Sequence, residues 1–272
     1  MKPIGRLFRA LLMVCLLWPV SSSVTAQTPP LQVLLADVWP WSYRDESREL
    51  QGLLVDLFRA LEQETGLTME LRLYPHQRVM LELSRGNGDL SILFANPAVD
   101  RFADRSAAVV RSRFFLLAHP SFTGELNLKN LPGKPVGYMR GNYYGKDFET
   151  DHSIIKIPIT SLEQGVMMLH AGRLTAMISS EQLIYYTLKE MAIPEVEWRT
   201  ELHSEKQMAY LYRRHDGVPA TRIQPLVDAI EKLRASGELN HLVGVRPLDQ
   251  LPGAHFPTEG QSSLAPTDPA PE

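Results

Sequence analysis

In its first half the chain alternates short apolar segments with amphipathic ones, and this alternation most strongly limits the folds available to it. Leu31–Ala36 is an apolar run of strand length that follows two prolines, and residues 68–73 and 89–94 are also strand-like. Residues 52–65 and 76–85 instead repeat apolar side chains at helical spacing. Strands and helices that alternate with short connections predict a parallel sheet with right-handed crossovers.

The same alternation returns after Pro120 and predicts a second α/β unit. Ser161 precedes Gln164 by three residues, the spacing of a capping box that opens a helix. Ser179 and Gln182 repeat this spacing and predict a further helix start. The strand-like segments of this half are residues 134–139, 154–157, 174–178, 196–199 and 208–212, and a long helix is expected over residues 219–235.

Three large aromatic side chains, Trp39, Trp41 and Tyr43, stand between the first predicted strand and the first predicted helix. Open α/β sheets bind ligands just beyond the carboxyl ends of their strands. We therefore interpret these rings as the wall of a ligand cleft. The alternative is that they only cover the strand end and pack beneath the loop.

The first 26 residues have the pattern of a cleavable export signal. An apolar core over residues 10–20 is too short to span a bilayer, and Val-Thr-Ala at 24–26 resembles a cleavage site. The basic residues that precede the core are Lys2, Arg6 and Arg9. We expect a mature chain that begins near residue 27 and lies in the periplasm.

Composition excludes several functions for the mature chain. It would keep 246 residues, of which 25 are basic and 31 acidic, and this formal charge of −6 argues against nucleic-acid binding. The only cysteine, Cys15, lies in the leader, so disulfides and thiol chemistry are not expected. No later segment has the roughly 18 apolar residues of a membrane helix. The eight histidines are dispersed, so we expect neither a metal nor another cofactor.

Five segments together carry a family resemblance. They are Trp-Pro-Trp-Ser-Tyr at 39–43, Gln-Gly-Leu-Leu-Val-Asp-Leu at 51–57, Leu-Ser-Arg-Gly-Asn-Gly-Asp at 83–89, Asn-Leu-Pro-Gly-Lys-Pro-Val-Gly at 130–137, and a closing helix pair within 213–242. In order and spacing they resemble the family 3 extracellular solute-binding proteins. These are the periplasmic receptors known for delivering polar amino acids to ABC importers.

The resemblance implies the two-lobed α/β fold of type II periplasmic binding proteins, with a ligand cleft between the lobes. Lobe 1 would comprise residues 27–118 and 206–246, and lobe 2 would comprise residues 119–205. A tail over residues 247–272, rich in proline and serine, is expected to be disordered. Ligand capture would occur by hinge closure, in a monomer that serves an ABC permease or a membrane sensor.

The resemblance also suggests ligand-binding residues in lobe 1. An arginine shortly after the third strand often clamps the ligand carboxylate in this family, and Arg101 lies near that position. Arg78, at a predicted helix start, is a second candidate. Phe94 and Asn96 end the third predicted strand and are expected to line the cleft. The alternatives are exposed surface charges for the arginines and a core position for Phe94.

Lobe 2 offers a second set of candidates. A turn before a helix favours an anion through its free N–H groups, and this turn contributes Arg140, Asn142 and Tyr143. Ser179 and Glu181 lie where the family often supplies a carboxylate for the ligand ammonium. Because serines replace the usual acid and Glu181 alone remains nearby, α-amino acid binding is in doubt and the ligand need not carry an ammonium group.

These features favour a non-enzymatic receptor that captures a small polar or anionic, amino-acid-like metabolite. Two alternatives stay open. The first is a dehydratase-like enzyme with Glu181 as its general acid or base. The second is a protein that has lost its small-molecule ligand and acts through protein contacts. The sequence does not identify the ligand or the membrane partner.

Overall fold

The computed structural model describes residues 28–191 and 198–244, so the predicted leader and tail lie outside the described residues. The strands are β1 (Leu31–Ala36), β2 (Tyr43–Arg44), β3 (Leu50–Gln51), β4 (Met69–Tyr74), β5 (Leu90–Phe94), β6 (Ala103–Ala118), β7 (Pro135–Met139), β8 (Ile155–Ile159), β9 (Ala176–Ser180) and β10 (Arg199–Arg214). The helices are α1 (Leu53–Thr65), α2 (His76–Ser84), α3 (Lys146–Thr150), α4 (Leu162–His170), α5 (Glu181–Met191), α6 (Ala220–Ala235) and α7 (Glu238–Leu242).

Eight of these strands form one mixed sheet in the order β4-β1-β5-β10-β6-β9-β7-β8. Strand β1 is parallel to β4 and β5, and β7 is parallel to β8 and β9. The predicted parallel crossover units are therefore present in both halves, which we call lobe 1 and lobe 2. The antiparallel strands β6 and β10 lie between them, and the sequence did not predict this arrangement.

Strands β6 and β10 form a ribbon that both lobes share. Each is 16 residues long, and the pairing extends from Arg199 opposite Ala118 to Arg214 opposite Ala103. One half of the ribbon continues the sheet of lobe 1 through β5, and the other half continues that of lobe 2 through β9. Both strands run unbroken from one lobe into the other, so the strands themselves do not mark where a lobe ends. The lobe boundaries near residues 118 and 206 therefore stay a prediction.

Helix α1 shows why the predicted segments adopt these structures. Its apolar side chains Leu54, Leu57, Phe58 and Leu61 recur at helical spacing, and all are buried against the lobe 1 sheet. Burial of each such side chain stabilises the fold by about 1.5–3 kcal/mol. This confirms the helix expected over residues 52–65. No helix in the described part of the chain is long and apolar enough to cross a membrane.

One predicted helix cap is confirmed and the other is wrong. Ser161 Oγ accepts a hydrogen bond from the Gln164 amide at 3.2 Å, as the spacing predicted for the start of α4. Ser179 instead belongs to β9, and Ser180 Oγ accepts from the Leu183 amide at 3.4 Å. The capping serine lies one residue later than predicted because α5 begins directly after β9, with no loop between them.

Candidate ligand-binding cleft

A cavity of about 60 Å³ lies where strands from both lobes end. Its lining includes the last residues of four strands, Ala36 of β1, Phe94 of β5, Met139 of β7 and Ser180 of β9. These are the carboxyl ends of the parallel strands, where open α/β sheets bind ligands. The cavity is therefore the candidate ligand-binding cleft.

Most of the cavity surface is apolar. Three polar side chains reach it, His76, Asn142 and Ser180. Among the described residues no lysine, arginine, aspartate or glutamate lines it. The apolar lining residues come from both lobes and are Ala36, Val38, Trp41, Leu54, Ile92, Leu93, Phe94, Val110, Met139, Leu183 and Ala209.

The aromatic loop is held against the first turn of α1. The amides of Leu53 and Leu54 donate to the carbonyls of Pro40 and Trp41 at 3.0 and 2.8 Å, which satisfies two free N–H groups of the helix start. Gly52 permits this approach, because its φ is 124° and a Cβ there would lie 2.6 Å from the Trp41 carbonyl oxygen. The loop therefore fixes the position of Trp41 in the cavity wall.

Two side chains of lobe 1 hydrogen-bond to one turn of lobe 2. His76 Nδ1 lies 3.0 Å from the carbonyl oxygen of Arg140, and Asn96 Nδ2 donates to the carbonyl of Gly141 at 3.2 Å. A carbonyl can only accept, so Nδ1 carries the hydrogen and Nε2 of the neutral ring remains an acceptor. Burial lowers the pKa of His76, partly opposed by its bond to Arg140, so the ring is neutral at pH 7.

Gly141 allows the lobes to meet at this point. Its φ is 98°, and a Cβ at this position would lie 2.8 Å from Nδ1 of His76. Real Cβ atoms do not approach so closely, so any larger residue would displace the His76 ring from its bond to Arg140 or separate the lobes. The sequence placed Gly141 in the turn that was expected to favour an anion, and it did not predict this contact between the lobes.

Sequence comparison alone does not place the chain, because no protein-family model and no curated protein matches it. Solved structures do match. An amino acid transporter substrate-binding protein from Streptococcus pneumoniae, bound to L-arginine, superimposes with a TM-score of 0.67 over 79% of this chain and 93% of its own, at 19% identity. An ancestral arginine-binding protein bound to arginine gives 0.67 over 80% and 97%, at 17% identity.

A histidine kinase sensor domain with similarity to periplasmic binding proteins also matches, with a TM-score of 0.66 over 79% of this chain and 94% of its own, at 17% identity. The chain has the two-lobed fold of a type II periplasmic binding protein. In this fold the cavity described above lies between the two lobes. At identities this low, the likeness establishes the fold and leaves the ligand open.

Several predicted ligand-binding residues lie at this interlobe cavity of the periplasmic binding protein fold. Trp41, Phe94 and Asn142 line it, and Asn96 bonds across the lobes beside it. The other two loop aromatics lie elsewhere. Trp39 packs edge-on against Tyr186 of α5, with ring centroids 6.1 Å apart, and Tyr43 lies in the small hairpin of β2 and β3.

The three predicted arginines do not line the cavity. Arg78 and Arg101 border a separate open groove of about 590 Å³ between α2 and the loop after β5. Arg78 is ion-paired there with Glu82 at 3.1 Å. Arg140 contributes its backbone carbonyl to His76, and its side chain is exposed. Tyr143 is half-buried in the same turn. A role in ligand binding for any of these residues stays a prediction.

Glu181 forms an ion pair with Arg113, a residue that was not predicted from the sequence. Nε and Nη2 of Arg113 donate to the two carboxylate oxygens at 2.9 and 2.5 Å. The next residue, Gln182, accepts from Ser112 Oγ at 2.5 Å and donates to the Arg111 carbonyl at 3.2 Å. These contacts fix the start of α5 to the middle of the shared ribbon. Ser179 is buried in β9, and it is Ser180 that reaches the cavity.

Two signals in the sequence could have revealed the residues that were missed. Arg113 directly precedes the buried apolar run of β6 at residues 114–118, and a charge at such a place needs a partner. His76 opens the helix expected over residues 76–85, soon after the strand-like residues 68–73, and only a metal-binding role was considered for it. No cluster that could hold a metal ion occurs within residues 28–191 and 198–244.

Proposed function

We propose that this chain is an exported receptor that encloses a small molecule between its lobes by hinge closure. The observation that carries the proposal is the interlobe cavity at four strand ends, bordered by hydrogen bonds from His76 and Asn96 to the opposite lobe. Contacts that exist only between closed lobes favour the closed form, and a ligand that touches both lobes adds to them. The receptor acts as a monomer.

The setting of the receptor rests on the leader and on the structural neighbours. The leader supports a periplasmic location. The neighbours include a substrate-binding protein of an amino acid ABC transporter and a kinase sensor domain, so the partner is a membrane importer or a membrane sensor. An enzymatic role for Glu181 is disfavoured because Arg113 already engages both of its carboxylate oxygens.

Replacement of Gly141 tests the closure. The mature protein is screened by thermal shift against a library of small metabolites, and the ligand that stabilises it is then titrated into two variants. Gly141→Ala places a methyl group against His76 and should weaken binding at least about tenfold, since closure is lost. Gly133→Ala is the matched control, because its φ is 69° and nothing lies within 4 Å of a Cβ there.

The two variants share the backbone strain of a positive φ, and only Gly141 faces the other lobe. A ligand at about a hundredfold its Kd should raise the unfolding free energy of the wild-type protein by about 2.7 kcal/mol. Equal affinity in wild type and Gly141→Ala would contradict closure. A library that yields no ligand would contradict the receptor function itself.

A further inference from the structure

We propose that the cleft selects a small uncharged molecule, with a short branched or cyclic hydrocarbon body and one hydrogen-bonding head group, and rejects zwitterionic amino acids. This inference rests on the proposed receptor function and names the ligand class of that same cavity. It differs from the amino-acid-like ligand that the sequence suggested. Charge, shape and hydrogen bonding each support it.

The absence of charged side chains from the cavity lining is the first support. Among the described residues, the cavity is lined by no permanently charged side chain that could form an ion pair with a carboxylate or an ammonium. Arg78 and Arg101 border the outer groove instead. An ion that leaves water for an apolar site without a partner pays a large desolvation cost, so a charged ligand is selected against.

Glu181 does not change this conclusion, although it follows the cavity residue Ser180. Arg113 donates to both of its carboxylate oxygens, and the carboxylate side chain is only 9% exposed. A ligand ammonium would have to displace a bidentate guanidinium that fits the carboxylate geometry. The ion pair of Arg113 and Glu181 therefore adds no net charge beside the cavity.

The apolar wall defines the body of the ligand. Trp41, Leu54 and Phe94 of lobe 1 oppose Met139 and Leu183 of lobe 2. Such surfaces favour hydrocarbon, and they do so from both sides when the lobes are closed. Because an apolar cavity of about 150 Å³ accommodates benzene, a volume of about 60 Å³ fits a body of only a few carbon atoms.

The three polar lining residues define the head group. Nε2 of neutral His76 is an acceptor, because Nδ1 donates to Arg140. Ser180 Oγ accepts from the Leu183 amide and keeps its own hydrogen to donate. Asn142 Nδ2 donates to Tyr144 Oη at 3.4 Å, which leaves the second amide hydrogen as a donor and the amide oxygen as an acceptor. A hydroxyl or a primary amide matches this set, since each both donates and accepts.

A series of probes that share an isopropyl tail tests the inference. The neutral probes are 2-methylpropan-1-ol and isobutyramide. The charged probes are isobutyrate, isobutylammonium and L-valine. Each is titrated to tens of millimolar into the mature wild-type protein at pH 7, with binding followed by ligand-observed NMR and by intrinsic tryptophan fluorescence, to which Trp41 of the cavity wall contributes. We expect each neutral probe to bind at least about tenfold more tightly than every charged probe.

A cavity-filling variant shows that the probes occupy this cavity. Ala36→Leu inserts a larger side chain into the lining and should abolish binding of both neutral probes. Met167→Leu, on an exposed position of α4, is the control and should leave their affinity unchanged. The comparison of head groups uses wild-type protein alone, so it does not depend on the folding of either variant.

The outcomes separate this inference from the receptor function. Binding of L-valine or isobutyrate as tight as that of the neutral probes would overturn the neutral-ligand inference and leave the receptor intact. Failure of both neutral probes to bind would also overturn it. The metabolite screen with Gly141→Ala decides the receptor function independently, because it makes no assumption about the charge of the ligand.

Discussion

At the scale of single residues, His76 has two roles that share one imidazole. Nδ1 of His76 donates a hydrogen bond to the Arg140 carbonyl of lobe 2, and the residue also lines the cavity. Burial beside the apolar cavity favours the neutral ring, because a cation there would need a counter-charge, whereas the bond to the Arg140 carbonyl favours the protonated ring. The protonation of one side chain is thereby coupled to the contact between the lobes.

This coupling predicts a pH dependence of stability. Since burial holds the pKa of His76 below 6.5, the unfolded chain binds more protons than the folded protein in the interval between the two pKa values. The free energy of unfolding therefore rises with pH through that interval and falls as the solution becomes more acidic. The contribution of this group to the slope is at most about 1.4 kcal/mol per pH unit.

Urea denaturation between about pH 5 and pH 7.5 measures this slope. His76→Asn should flatten it, and His152→Asn, at an exposed position of lobe 2, should leave it as in the wild type. Identical slopes in wild type and His76→Asn would contradict the prediction.

The sequence identified those site residues that follow directly from strand ends. Trp41, Phe94 and Asn142 were predicted because a residue that follows a parallel strand lies at the cleft wherever that strand is in the sheet. The direction of Arg78 depends instead on the rotation of α2 about its axis, which is set by the burial of Val79 and Leu83. Arg113, the partner of Glu181, lies 68 residues earlier in the chain. A local sequence pattern does not predict a contact between residues so far apart.

At the scale of secondary structure elements, the pair of Arg113 and Glu181 joins β6 to α5. The side chains are 25% and 9% exposed, so solvent screens the pair only in part. Arg113 also lies over the ring of Phe115, 5.2 Å from its centroid. A charge so enclosed is stabilised by its partner, and loss of the partner leaves it uncompensated.

We therefore expect Glu181→Gln to lower the free energy of unfolding by about 1–3 kcal/mol, as measured by urea denaturation. Binding of the stabilising ligand should change by less than about twofold. Glu190→Gln, at an exposed position of the same helix, should change stability by less than about 0.5 kcal/mol. Normal stability with lost binding would instead make Glu181 a ligand contact.

Most elements were predictable from local pattern, and the shared ribbon was not. Helix α4 runs from Leu162 to His170, and it starts where the capping box at Ser161 predicted it. Strand β6 begins at Ala103, four residues before the apolar, strand-like part of its sequence, which starts at Ala107. Its first residues include Asp104 and Arg105, which pair with side chains outside their own segment. These residues adopt a strand because they pair with β10, and not because their sequence has a hydrophobic pattern.

At the scale of the whole molecule, the lobes meet through polar contacts as well as through the cavity. Both contacts converge on the backbone of residues 140 and 141. Because a backbone carbonyl keeps its place when its side chain changes, the meeting point depends on the shape of the turn. The balance between open and closed forms is therefore sensitive to single donors on lobe 1.

Asn96→Asp tests this balance. The variant keeps the oxygen that accepts from the Ala98 amide at 2.9 Å and loses the donor to Gly141. Loss of one hydrogen bond, about 1 kcal/mol, should shift the equilibrium roughly fivefold toward the open form. Small-angle X-ray scattering should report a larger radius of gyration.

The matched control is Asn127→Asp, because the Asn127 side chain accepts from the Asn130 amide at 3.1 Å and an aspartate can do the same. Its radius of gyration should equal that of the wild type. An Asn96→Asp protein with the wild-type radius would show that the Gly141 contact does not influence closure.

The ribbon of β6 and β10 has a last consequence, for the integrity of the molecule. Two domains on a flexible tether can melt separately and can be cut apart at the tether. Here the central strands of one lobe are also those of the other, so neither lobe completes its sheet alone. Neither lobe of such a receptor is dispensable. Disruption of one lobe also disturbs the other, because two continuous strands belong to both.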